Sequence, residues 1–123
     1  MIAAALLLAA GVAAEQPGWV TNGSSGEVFW INNSETRPGE FGRIDVWIHS
    51  RRPALAKGSP VPKGDYRASL QRLSFDCKGN AILLAITTFN DLGEVIYSWD
   101  GWDSTAIRPG TVFAAAEAFT CGR

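Results

Sequence analysis

Two cysteines, Cys77 and Cys121, follow an apolar leader, and this combination limits what the chain can become. Every residue of Met1–Ala14 except Gly11 is hydrophobic, and Glu15-Gln16-Pro17 ends the run at once. The segment reads as the apolar core of a secretory signal, with Val12 and Ala14 as the small residues before a cleavage site. Cleavage is expected after Ala14, leaving residues 15–123 as a single domain. A buried N-terminal helix is the alternative, and the lack of an amphipathic stripe speaks against it. No Cys stands at the end of the leader to take a lipid anchor, so the expected location is secreted or periplasmic. In an exported chain an even pair of cysteines is most simply one disulfide. Two free thiols in a cytosolic protein is the other reading. Closing a loop of about 44 residues is worth roughly 4 kcal/mol in the chain-entropy model. Cys77, Cys121 and the lone His49 have no recognisable metal-ligand spacing, so neither a metal nor a cofactor is expected.

Composition removes several function classes. Eleven basic against 12 acidic side chains give a net charge of −1, with no basic footprint for nucleic acid. Beyond the leader no apolar run approaches the roughly 18–20 residues of a spanning helix, so no integral membrane segment is expected after cleavage. At 46% hydrophobic residues, the chain is too apolar for intrinsic disorder.

Thirteen Gly and six Pro cut the remainder into short pieces. Glu27–Ile31 is rich in strand formers. Arg43–His49 alternates, with Ile44, Val46 and Ile48 on one face and Asp45, Trp47 and His49 on the other. Arg51–Lys63, with Pro53, Gly58, Pro60 and Pro62, reads as a loop. Tyr66–Cys77 reads as a longer strand with Leu73, Phe75 and Cys77 on one face and a bulge or twist near Gln71. Lys78-Gly-Asn80 is a tight turn into Ala81–Phe89, whose apolar character on both parities fits a strand covered on both faces. Asn90–Gly93 is a second hairpin turn, leading into Glu94–Trp99. Asp100-Gly-Trp-Asp103 reads as a turn and lacks the oxygen spacing of a calcium loop. Thr111 caps a helix through Phe119, with Val112, Ala115, Ala116 and Phe119 on one stripe and Cys121 off it. These elements make an α+β domain: an antiparallel sheet with one C-terminal helix on one face. The stripe is expected to pack on the side carrying Leu73, Phe75 and Cys77.

From about Tyr66 to Cys121 the order of elements resembles the surface-adhesin protein E family of exported bacterial proteins. A Tyr-led strand ends in Asp76-Cys77, and Phe89-Asn-Asp-Leu-Gly93 precedes Glu94-Val-Ile96. Trp102 then stands before Ile107-Arg-Pro-Gly110, and a helix ends in Cys121. The resemblance implies a curved antiparallel sheet of about six strands, with the helix tethered by a disulfide. It also implies protein ligands, from the extracellular matrix or the envelope, and homodimers among some members.

Catalysis finds little support. Asp45 and His49 share a strand face about 13 Å apart and cannot hydrogen-bond directly, so no Ser-His-Asp arrangement follows from the spacing. The five tryptophans carry more information. Trp47, on the face opposite the apolar residues, stands with His49, Arg51 and Arg52 as a candidate binding patch. The alternative is that loops or a second copy cover that face. The expected function is a non-enzymatic exported binding protein that engages a protein ligand. A periplasmic inhibitor or accessory protein is the alternative.

Overall fold

The alternating apolar residues of Ile44–Arg51 seed the sheet. In the computed structural model, which describes residues 17–53 and 66–122, seven antiparallel strands form one open sheet. They are β1 (Pro17–Asn22), β2 (Val28–Asn32), β3 (Thr36–Pro38), β4 (Ile44–Arg51), β5 (Ala68–Phe75), β6 (Asn80–Phe89) and β7 (Val95–Ala106). A single helix, α1 (Val112–Thr120), follows. The leader Met1–Ala14, its cleavage after Ala14, and the 54–63 part of the expected loop lie outside the described residues.

The order across the sheet is β1-β2-β4-β5-β6-β7. β3 lies end to end with β2 along the same edge of β4, since β2 pairs with His49–Arg51 and β3 with Ile44–Val46. A short 3-10 turn, Asn33–Glu35, separates the two. Alternation then sorts the side chains. Ile31, Val46, Ile48, Leu73, Phe75 and Ala81 are buried together on one face, and Ala116 of α1 closes over them. Each of the larger side chains, from Val46 to Phe75, contributes roughly 1.5–3 kcal/mol by leaving water. On the same face Ser50 and Ser69 are buried and hydrogen-bonded to each other at 2.5 Å.

Three local expectations need correction. β5 pairs regularly with all of β4, and the irregularity sits in β6, where Leu84 is the extra residue between the pairs Leu73–Leu83 and Arg72–Ala85. β6 is paired on both sides, and Ala81 and Ile82 are buried on opposite faces, but Leu83–Thr87 are only half-buried, so both faces are covered at one end alone. Asp100–Asp103 is not a turn: β7 runs straight through it, shifting register against β6 between Asp103 and Asp100. Gly101 permits this, because a Cβ there would lie 2.8 Å from the Trp99 ring.

The helix starts as read, with the Thr111 hydroxyl oxygen accepting from the Ala114 N–H at 3.2 Å. Its inward stripe differs. Ala116 and Glu117 are buried and Phe113 packs on the core, whereas Ala115 is exposed and Phe119 is 43% exposed, stacked against Trp19 at 6.4 Å. The Cys77–Cys121 disulfide, with Cα atoms 5.7 Å apart, accounts for the rotation. A stripe of 113, 116, 117 and 120 leads into Cys121, and the stripe through 112, 115 and 119 does not.

The β5–β6 turn is the other half of this clamp. Asp76 Oδ1 accepts from the Lys78 N–H at 2.7 Å and the Asn80 N–H at 3.0 Å. The Gly79 N–H donates to buried Glu117 at 3.0 Å, and the Gly79 carbonyl accepts from Ile107. Cys77 itself takes φ +63, a left-handed conformation that L residues adopt only when their surroundings hold them there. Partial burial acts to raise the Asp76 pKa. The hydrogen bonds from Lys78 and Asn80, with the charge of Arg43, outweigh it and hold the carboxyl below its usual value.

Two outcomes follow. Urea melts should rank Phe113→Ala, at about 2 kcal/mol, as more damaging than Phe119→Ala, and Ala116→Leu should cost about 1–3 kcal/mol by overpacking. Equal losses for the two Phe variants would contradict the helix orientation. The lowered Asp76 pKa means its contribution to stability is fully present above the unfolded value near 3.9 and fades as pH falls through the folded one. Asp76→Asn should therefore lower the melting temperature at pH 7 and weaken its dependence on pH below about 4. An unchanged acid limb would show that Asp76 does not carry this effect.

Candidate functional site

The face opposite α1 carries what alternation sends there: Asp45, Trp47 and His49 from β4, with Trp30 and Arg72 beside them on β2 and β5. The Trp30 and His49 rings stack at 5.2 Å and 11°. His49 Nε2 lies 2.6 Å from Glu35 Oε1, and the Asn32 side-chain amide donates to the same oxygen at 3.2 Å. The break between β2 and β3 is what delivers Glu35, since the 3-10 turn there takes the chain out of pairing beside His49 before it rejoins β4 at Thr36. His49 is therefore held on one side by a ring and on the other by a carboxylate. Asp45 engages Arg72 Nη2 at 3.3 Å instead, so the two β4 residues serve different partners.

Arg72 also lies over the Trp47 ring, with Cζ 5.8 Å from its centroid, within reach of a cation–π contact. The structure thus joins Trp47 and His49 on one face and adds Arg72, Trp30 and Glu35, which the sequence did not single out. It does not gather the whole candidate patch. Arg51, in regular register at the end of β4, shares this face and is exposed, whereas Arg52 turns to Tyr66, stacking over its ring at 4.6 Å and donating to its carbonyl.

The more open part of this face is a groove of about 600 Å³ beside Asp45 and Arg72. Phe41 stands on one side and Trp102 on the other, 95% and 71% exposed. Phe41 sits in the short turn Glu40–Gly42 at φ +56, a left-handed conformation that costs a bulky residue on the order of 1–3 kcal/mol. Gly39 lets the chain pass close over the floor, because a Cβ there would lie 2.8 Å from Asp45 Oδ1. Arg43 Nε donates to the Ser74 hydroxyl at 3.1 Å, fixing a second guanidinium along the floor. Trp102 reaches the groove because the chain shifts register around Gly101, at the height where Leu84 is extra in β6. Of this site the sequence marks Trp102, which stands before Ile107-Arg-Pro-Gly110, whereas Phe41, between Gly39 and Gly42, carries no periodic signal.

The outer edge of β7 is the other open feature. Its 12 residues pair only with β6 among the described residues. Val95 and Tyr97 are 58% and 54% exposed, with Ile96 also exposed. Among the described residues no three His, Cys, Asp or Glu side chains converge as a metal site, and no helix is long and apolar enough to cross a membrane.

No protein-family model, no curated protein and no solved structure matches this chain, so its chemistry has to be read from these side chains.

Proposed function

We propose that this is an exported, non-enzymatic binding protein of the surface-adhesin E type, which engages a protein ligand at the cell envelope or outside the cell. The observation that carries the proposal is the β7 edge. A long sheet edge offers a row of backbone donors and acceptors, and proteins that must avoid pairing blunt such edges with charges, Pro, bulges or a cover. Val95–Ala106 has neither Lys nor Pro; Asp100, Asp103 and the register shift between them blunt its middle, while Val95, Ile96 and Tyr97 at its start are open to solvent. That is the chemistry of strand addition, in which backbone hydrogen bonds supply affinity and alternate side chains supply selectivity. Asp100 and Asp103 lie on the same strand, so a ligand strand with basic residues suits it better than an acidic one.

Export is supported by the disulfide, which belongs to an oxidising compartment, and by the apolar leader.

The double variant Ile96→Lys/Tyr97→Lys places charges on the exposed edge and should leave the melting temperature within a few degrees of the parent. Binding to immobilised matrix proteins should fall at least tenfold. Unchanged binding would contradict the edge reading. Inhibition of a wall-degrading enzyme by the parent, without matrix binding, would instead favour the periplasmic inhibitor.

A further inference from the structure

We infer that the groove between Phe41 and Trp102 is a saccharide-binding site, taking an uncharged pyranose chain. Two independent observations converge on it. Phe41 is held in a left-handed conformation while almost wholly exposed, so burial in the free protein does not account for its placement. Trp102, from a strand on the other side of β5 and β6, is presented to the same space through the register shift at Gly101. Two exposed aromatic side chains lining one groove suit the C–H face of a sugar ring, which is apolar, flat and weakly hydrated.

Around Leu84 the floor carries charged groups that balance. Arg43 and Arg72 stand against Glu40 and Asp45, with the Ser74 hydroxyl between them. A net charge of zero offers no attraction to an anionic or cationic ligand. It does offer alternating donors and acceptors, and a sugar hydroxyl uses both. The volume of about 600 Å³ falls within the range of small-ligand sites, about 300–1,000 Å³, which leaves room for more than one ring. This inference does not rest on strand addition at β7: the sugar would sit on the helix-free face, and the protein ligand along the outer edge.

Titration calorimetry with cellotetraose, maltotetraose and chitotetraose, alongside a sulfated heparin tetrasaccharide, tests the inference. At least one neutral tetrasaccharide should bind and change the tryptophan fluorescence, and the sulfated one should bind more weakly or not at all. Phe41→Asn tolerates the left-handed backbone but removes the ring, and it should weaken sugar binding at least tenfold with a melting temperature equal to or above the parent's. Trp102→Ala should do the same. The Ile96→Lys/Tyr97→Lys variant should bind sugar as the parent does, which separates failure here from failure of the edge reading. Absence of binding by all three neutral sugars, preference for the sulfated one, or full binding by Phe41→Asn would each overturn the inference.

Discussion

The clamp between the β5–β6 turn and α1 decides which side of the sheet is closed. It has two parts that meet within a few residues. The Cys77–Cys121 disulfide fastens the end of the helix to the turn, and Glu117 receives the Gly79 N–H one helical turn earlier. Glu117 is buried, and removing its carboxylate would leave the Gly79 N–H without that acceptor, at a cost of about 1–3 kcal/mol. With Ile107 holding the other side of the Gly79 peptide, the turn is tied to the helix and to the chain that leads into it. Phe113 and Ala116 are thereby set over Val46, Ile48, Leu73 and Phe75.

Once that face is closed, the remaining surface divides by physical character. At one end of the helix-free face His49 lies between Trp30 and Glu35, a packed and hydrogen-bonded arrangement. Toward β7 the face loosens into a groove flanked by exposed rings. The difference follows from the strands. β2, β3 and the turn between them lay side chains back over β4, whereas β6 and β7 answer their irregular pairing with extra residues that push Leu84 and Trp102 outward.

The parts of this molecule that were legible in its sequence are those with a period. Ile44, Val46 and Ile48 alternate against Asp45, Trp47 and His49, and the structure sorts them to opposite faces as alternation requires. The two hairpin turns were legible because Asn and Gly carry turn chemistry, and the Asn90 side chain does accept from the Leu92 and Glu94 N–H groups. The helix was legible in extent but not in rotation. Ala114, Ala115, Ala116 and Ala118 give no apolar stripe enough weight to stand out, and Glu117 reads as a solvent residue unless its partner is known. The Asp100-Gly-Trp-Asp103 run has the composition of a turn, and only pairing with β6 makes it strand. Phe41 and Glu35 were invisible for another reason: each acts from a short 3-10 turn, where no periodicity marks a side chain.

Residue-resolved hydrogen exchange, with the disulfide intact and after reduction, tests the clamp most directly. In the oxidised protein the Gly79 amide and those of Ala115–Cys121 should be protected as strongly as the β4–β5 ladder. After reduction, protection should fall at Gly79 and along α1 by at least tenfold more than within Ile44–Arg51 and Ala68–Phe75. Helix protection that survives reduction, or that is lost together with the ladder in a single step, would contradict a clamp that closes one face of an otherwise self-standing sheet.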